Sequence, residues 1–320
     1  MQAYKKRGFW VGLGVFFLVI LSPNPESLSP IGWAVAAVTL LMAIWWATEA
    51  VPVAVTALLP LALFPLLQVT DFKAAALPYA NPNIYLFMGG FILALGIESS
   101  GLHKRLALKM LILVGNSGAK LVGGFMLVSA VISMWVMNTS TTLMLLPIGL
   151  AVCASVAETI PNFSAKQRKN FETSLLLGIA YAASIGGMST LVGTAPNIIF
   201  AAFMLETYGI EISFIDWMKL GVPIASIMLV ASWYTITKFV YPVNFVASME
   251  TKLQLRNMLT DLGPLGRDEK KVLVIFLFAA GAWMFRTLLD NFVPLSGLTD
   301  AGIAILAALS FFFIPSENNK

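Results

Sequence analysis

The sequence predicts an all-α polytopic membrane protein, and three observations carry that reading. Of its 320 residues, 58% are hydrophobic and only 11% charged, with a mean hydropathy of +0.85, whereas soluble chains carry roughly 25% charged residues. The apolar residues are gathered into runs, several of them long enough for the roughly 20-residue helix that crosses a bilayer. The lysines and arginines lie in short segments between those runs, so the net charge of +4 describes loops and not a nucleic-acid surface. The expected environment is therefore the lipid bilayer.

The first run, 9–21, follows Lys5-Lys6-Arg7 and ends in Leu21-Ser22-Pro23-Asn24-Pro25. A cleaved signal peptide ends in small residues, so 1–30 reads as a segment holding a retained first span. Runs follow at 31–48, which is full-length like the later 216–240, and at 52–67 and 83–98. Then come two short pairs, 121–137 with 141–158 and 172–186 with 196–208, each interrupted by a Gly- or Ser/Thr-rich break. The remaining runs are 216–240, 271–289 and 300–314. Between 240 and 271 the chain is mixed and charged. Its first part suits an amphipathic surface helix, ended by Gly263-Pro264 and Gly266, so 241–270 reads as a cytoplasmic connecting arm.

Charge tests the topology. If the N-terminus is cytoplasmic, 121–158 is a re-entrant hairpin and 172–208 is one broken span, then 17 of the 20 cationic residues fall on the cytoplasmic side. Only Lys73, Lys219 and Arg286 fall on or near the other. That bias is what the positive-inside rule expects, and a single crossing by 121–158 would destroy it. The chain is accordingly expected in a bacterial inner (plasma) membrane with its N-terminus cytoplasmic. A faint repeat relates 37–51 to 273–289, each an apolar span ending in Trp, a charge and further apolar residues. Inverted repeats are a common construction of secondary transporters.

The two breaks hold the candidate chemistry. The first is Asn138-Thr139-Ser140-Thr141-Thr142, taken as the tip of the hairpin; the second is SIGGMSTLVGTAPN, 184–197. Irregular backbone at membrane depth survives only inside protein or beside a polar cavity. A broken helix offers carbonyls to a hard cation such as Na⁺ and N–H groups to an anion. Gly186, Gly187 and Gly193 let the backbone turn, and Pro196 can begin the following helix. Neither break contains a charged side chain, which favours an anion accompanied by a cation over a carboxylate proton relay. A second reading stays open: the hydroxyls bond back to their own helices and the glycines permit close packing.

Other residues exclude function classes. One cysteine, Cys153, rules out an intramolecular disulfide and a Cys-based metal site, and reads as a small buried hydrophobe. The sole histidine, His103, stands beside Lys104 and Arg105 and reads as an interfacial basic residue. No His/Glu metal spacing, GxSxG or Ser/His pair is present, so an enzyme is not expected.

Three stretches, WWATEAVPVAVTALLPLALFPLL (45–67), SMWVMNTSTTLMLLPI (133–148) and ASIGGMSTLVGTAPN (183–197), resemble the divalent anion/sodium symporter family. The resemblance implies transport of dicarboxylates, citrate or sulfate, usually with Na⁺, by homodimers that move as elevators. It also implies two inverted repeats, each with a hairpin bearing Ser-Asn-Thr. On that pattern Asn138 and Thr139 would contact a substrate carboxylate, with Thr194, Pro196 and Asn197 of the second break completing the candidate substrate site. Ser133, Asn138 and a carbonyl near Gly186 would surround a Na⁺. Met137 stands where the motif has Ser, and a thioether is a poor ligand for a hard cation, so only its backbone carbonyl would serve.

Against the same pattern, 31–240 corresponds to the first repeat and 271–320 to two spans of a second, incomplete repeat. The expectation is a truncated inverted-repeat secondary transporter for Na⁺-coupled symport of succinate-like C4 dicarboxylates or other divalent anions. A homodimer is expected, with a further chain supplying the opposing half of the site. Two alternatives remain: a cation-independent dicarboxylate exchanger or citrate/sulfate carrier of the same fold, and a non-transporting membrane subunit or remnant.

Overall fold

The computed structural model describes residues 3–113, 117–160, 163–246, 249–289 and 297–313. Expectations that fall on Pro315, on Lys320 and on the end of the 271–320 segment lie outside the described residues. Within them there is no strand, only an isolated bridge between Ser117 and Val246. Four helices are long and apolar enough to cross a membrane: Pro30–Thr48, Pro82–Ser99, Asn138–Thr159 and Phe214–Val240. The all-α polytopic expectation holds. The chain divides into two compact units, Met1–Asn81 and Pro82–Lys320.

The first unit is built on α1 (Ala3–Leu21) and α2 (Pro30–Thr48). Ser29 caps α2 by accepting from the Gly32 N–H at 3.1 Å, and Pro30 supplies the fixed φ of a first turn. The helices pack antiparallel. Gly8 meets Thr48, Gly12 meets Trp45, the Trp45 indole donates to the Phe9 carbonyl, and the Trp33 indole donates to Val19. Lys5 reaches Glu49 at 2.8 Å across the end of the pair. The run 52–67 is not one span: it forms α3 (Val53–Thr56) and α4 (Leu59–Leu66). Pro60, in the first turn of α4, lacks the N–H that a helix continuing from α3 would need. A short α5 (Phe72–Ala76) and a 3₁₀ turn, Leu77–Ala80, follow, pinned where the Tyr79 hydroxyl donates to the Ala57 carbonyl.

The second unit begins with α6 (Pro82–Ser99) and α7 (Leu102–Leu113). Next come α8 (Gly118–Ser133), α9 (Asn138–Thr159), α10 (Ala165–Gly187) and α11 (Ala195–Tyr208). It continues through α12 (Phe214–Tyr234), which passes into a π turn at Thr235–Val240, then α13 (Met249–Asp261), α14 (Arg267–Leu289) and α15 (Asp300–Phe313). One apolar core joins α8, α9 and α10 through Val122, Phe125, Leu145, Val152, Leu175 and Ile179, all at most 1% exposed. Ser129 crosses it, donating to the Ile179 carbonyl at 2.8 Å. Cys153 lies in this core, as a small hydrophobe would.

A second core runs through α6, α14 and α15. Gly89 lies against the Ala304 backbone and Gly96 against the Phe311 ring, a constant offset that makes α6 and α15 parallel. The α14–α15 hairpin is antiparallel, held where Trp283 donates to the Asp300 carbonyl and Arg286 Nη1 lies 3.1 Å from Asp300 Oδ2. The C-termini of α6 and α15 and the N-terminus of α14 therefore share one end.

At that end Arg105 organises the arm. Its guanidinium donates twice to Glu269, at 2.8 and 3.0 Å, and also to the carbonyls of Leu262, Gly263 and Pro264. His103 is buried rather than exposed as a basic residue: it is 2% exposed, with Nδ1 3.0 Å from the Ile97 carbonyl. Burial, ahead of that bond, holds its imidazole below the ordinary histidine range, so it is the neutral ring that fits here.

Arg105→Met is expected to cost about 3 kcal/mol, read as a lower unfolding midpoint in detergent, because Glu269 and three loop carbonyls lose their donor. Glu269 stands in the first turn of α14, ahead of its apolar part. Burial pushes its carboxyl up, but bonds from Arg105 and the Gly266 N–H and the charges of Arg105 and Lys109 outweigh this, so it titrates below the usual range. The stability it lends is then present above the unfolded glutamate value and lost as pH falls through the lower folded value. Acidification from neutral pH to about pH 3 should depress the midpoint of the native chain more steeply than that of Glu269→Gln.

Candidate functional site

The ends of α8 and α10 and the starts of α9 and α11 meet at one place. Between α8 and α9 lies a four-residue turn, 134–137, so Asn138–Thr142 is not the tip of the hairpin but the first turn of α9. The Thr141 N–H already bonds the Met137 carbonyl at 2.9 Å, and the Thr142 hydroxyl bonds back to Asn138. A polar run reads as a break only while the helix that contains it is unknown.

Between α10 and α11 the linker 188–194 folds onto that turn. The Thr190 hydroxyl donates to the Met134 carbonyl and accepts from the Gly193 N–H at 3.1 Å. Asn197, 6% exposed, sends its amide to the carbonyls of Gly187 and Thr190 at 2.9 and 2.7 Å. Trp217 holds the linker from α12 by donating to the Met188 carbonyl at 2.9 Å. The approach is close enough that glycine is required. A Cβ on Gly186 would stand 2.2 Å from the Ala130 carbonyl oxygen, and one on Gly193 would stand 2.4 Å from that of Gly187.

The expected site residues divide by what they already bond. Ser133 is buried and donates to Asn138 Oδ1 at 2.7 Å, so those two oxygens lie together and bond each other. A Cβ on Gly187 would lie 2.3 Å from the same Oδ1, which puts the end of α10 beside them. The Gly186 carbonyl accepts from the Ser189 N–H at 2.9 Å, and the Met137 carbonyl from Thr141. Met137 leaves its thioether half-exposed. Thr139 and Pro196 are exposed and Thr194 partly so. Asn197 is brought to the site, yet its amide hydrogens are directed to backbone.

Helix capping is uneven along the chain, and α3 and α4 start without a side-chain cap as well. Ser29, Asp71, Ser117, Ser164 and Ser213 cap α2, α5, α8, α10 and α12 through their side chains. The N-cap residues of α9 and α11, Met137 and Thr194, make no such bond. Among the described residues the N–H groups of Asn138, Thr139 and Ser140 therefore have no partner in the protein. Two helix starts with unpaired donors and partial positive charge can receive an anion. Ser133 and Asn138, with nearby carbonyls, can offer oxygen to a hard cation.

Sequence reasoning missed Thr190 and Trp135. Thr190 lies within the quoted second break, and its signal was a hydroxyl between flexible glycines. Trp135 sits in the turn itself and stacks with Phe214 and Trp283 at centroid distances of 5.8 and 6.2 Å, with Phe276 edge-on at 4.9 Å. Its apolar neighbours gave no such signal.

Gly186→Ala should lower stability by about 1–3 kcal/mol, because α8 and α10 must separate to admit the methyl group; an unfolding midpoint equal to that of the native chain would contradict the contact. Met137→Ser places a capping hydroxyl at the start of α9 and should raise stability by about 1 kcal/mol in the same assay.

Comparison with known proteins identifies the family. The chain is 37% identical over 319 residues to the sodium-dependent dicarboxylate transporter SdcS of Staphylococcus saprophyticus, and 36% identical over 317 residues to SdcS of Staphylococcus aureus strain USA300. Both alignments cover 98% of this chain and 61% of the relative, so the chain spans about three-fifths of the length of these curated relatives. The family model described as the sodium:sulfate symporter transmembrane region matches residues 7–316, and the chain belongs to that family.

Proposed function

We propose that the chain takes part in Na⁺-coupled movement of a C4 dicarboxylate, with succinate as the representative substrate. The observation that carries this is the pairing, at one place, of two helix starts without side-chain caps and the adjacent oxygens of Ser133 and Asn138. A carboxylate meets the α9 N–H groups, the Asn138 amide, Thr139 and Thr194, while Na⁺ is held by Ser133, Asn138 and backbone carbonyls near Met137 and Gly186. Pro196 shapes the entry to α11, and Asn197 holds the linker in place. The names of the relatives, which specify sodium and dicarboxylate, support the same pairing.

Electrostatics gives the reason for coupling. No charged side chain lies in 133–142 or 184–197, so a dianion placed there meets only partial charges. Each negative charge transferred from water to a low-dielectric site is costly unless an opposite charge accompanies it. A bound Na⁺ a few ångströms away supplies that charge, and each ligand strengthens binding of the other.

The bonds from Thr190, Asn197 and Ser129 tie α8, α10 and the linker into one body, which supports movement of the site as a unit in an elevator-type mechanism. The exposure of Thr139 and Pro196 leaves one side of the site open. Opposing donors from further polypeptide or a partner chain, within a homodimer, belong to the same proposal. So does residence in a bacterial inner membrane with the N-terminus cytoplasmic, supported by the charge bias.

Calorimetric titration of succinate into the purified chain tests the reading, in NaCl and again in KCl, with sulfate as competitor. Succinate binding that requires Na⁺ and weakens about ten-fold or more in Asn138→Ala is expected. Equal binding in KCl would point to a cation-independent exchanger, sulfate preference to an inorganic-anion carrier, and no binding to a non-transporting subunit.

A further inference from the structure

The buried residues of α1 are Gly8, Gly12, Phe16 and Val19, which together make the face it turns to α2. The opposite face carries Lys6, Arg7, Trp10 and Val11 and continues through Gly14, Leu18 and Leu21, all of them exposed. At 3.6 residues per turn these seven positions fall within about 140° of the helix, so they form one continuous strip. A cavity of about 420 Å³ opens at its head, lined by Ala3, Lys6, Arg7, Trp10 and Val11.

The strip is graded with depth. Lys5 bonds Glu49 just beyond the C-terminal end of α2, a helix long enough to cross a membrane, so the cations of α1 stand level with a membrane boundary. Glu49 satisfies Lys5. Among the described residues, Lys6 and Arg7 have no hydrogen-bond or ion-pair partner, and nothing accepts from the Trp10 indole N–H. That indole lies one turn, about 5 Å, further along the helix than the two cations. Beyond it the track is apolar and notched at Gly14, where an added Cβ would meet nothing within 4 Å. From Val11 to Leu21 is ten residues of helix, about 15 Å, which is the hydrocarbon depth of one leaflet.

We propose that this face of α1 binds one anionic phospholipid. A phospholipid presents a phosphate, then ester carbonyls, then acyl chains, in the order in which the strip presents cations, an indole donor and an apolar notch. The phosphate takes the Arg7 fork and the Lys6 ammonium. An ester carbonyl accepts from Trp10, and an acyl chain lies in the notch between Val11 and Leu18. A zwitterionic head brings an ammonium for which α1 has no carboxylate. A free phosphate leaves the apolar track uncovered. A second copy of the chain in the same membrane orientation would set this face's cations against their like.

Native mass spectrometry of the purified chain, with unfolding midpoints measured in parallel, tests this with phosphatidylglycerol, phosphatidylethanolamine and phosphatidylcholine of identical acyl chains. One phosphatidylglycerol per chain should be retained about ten-fold more tightly than either other lipid, with a matching rise in midpoint. Lys6→Gln combined with Arg7→Gln should abolish that preference. Gly14→Leu, filling the notch at an exposed position, should weaken retention of all three. Neither variant should lower the midpoint measured without added lipid. Equal retention of the three heads, a preference that survives the double substitution, or undiminished retention in Gly14→Leu would each overturn the proposal. So would an equal rise in midpoint with sodium phosphate alone, or a dimer that Gly14→Leu disperses.

Discussion

Two interrupted helices set in apolar surroundings leave backbone groups that no lipid can satisfy, and the second unit is organised around meeting that constraint. The carbonyl of Met134, in the turn after α8, is met by Thr190 from a linker 56 residues further along the chain. The carbonyls of Gly187 and Thr190 are met by Asn197. These bonds bring four helix ends together, and the glycines at 186, 187 and 193 follow from how closely the backbones must then approach. Satisfying the carbonyls in this way leaves the N–H groups of α9 open, which is where an anion fits.

The charged side chains are arranged away from this place. Arg105 and Glu269 form a buried pair at one end of the second unit, and Arg286 and Asp300 join α14 to α15, with Asp300 also accepting from the Phe214 N–H at 3.0 Å. Trp135, Phe214 and Trp283 stack between that second pair and the turn after α8. Buried ion pairs add little net stability over apolar packing, but removing one partner leaves an uncompensated buried charge and is costly. Here they join α7 to α14 and α14 to α15.

Periodicity and composition made the helices legible, because hydropathy is summed over neighbouring residues and needs no knowledge of the fold. The eleven apolar runs correspond to helices, except that 52–67 is divided just before Pro60, and α13 lies within the segment 241–270. The family was legible in three motifs. Less legible was Asn138–Thr142, since serine and threonine suit a helix start, a helix interior bonding back to its carbonyls, and a loop alike. His103 was misread for a related reason: Lys104 and Glu98 stay within electrostatic reach, but packing buries the ring and turns it to the Ile97 carbonyl.

The sequence by itself therefore determined an all-α membrane protein of a particular family, the two polar stretches beside which its helices are interrupted, and the absence of charge at both. Only the tertiary structure decided that α9 starts at Asn138, that Thr190 and Asn197 fasten the two breaks together, and that Met137 leaves a helix start uncapped. The division has one physical reason. Burial tendency is a local property of each stretch, whereas the partner of a hydrogen bond is settled by which distant residue the packed helices bring within 3 Å.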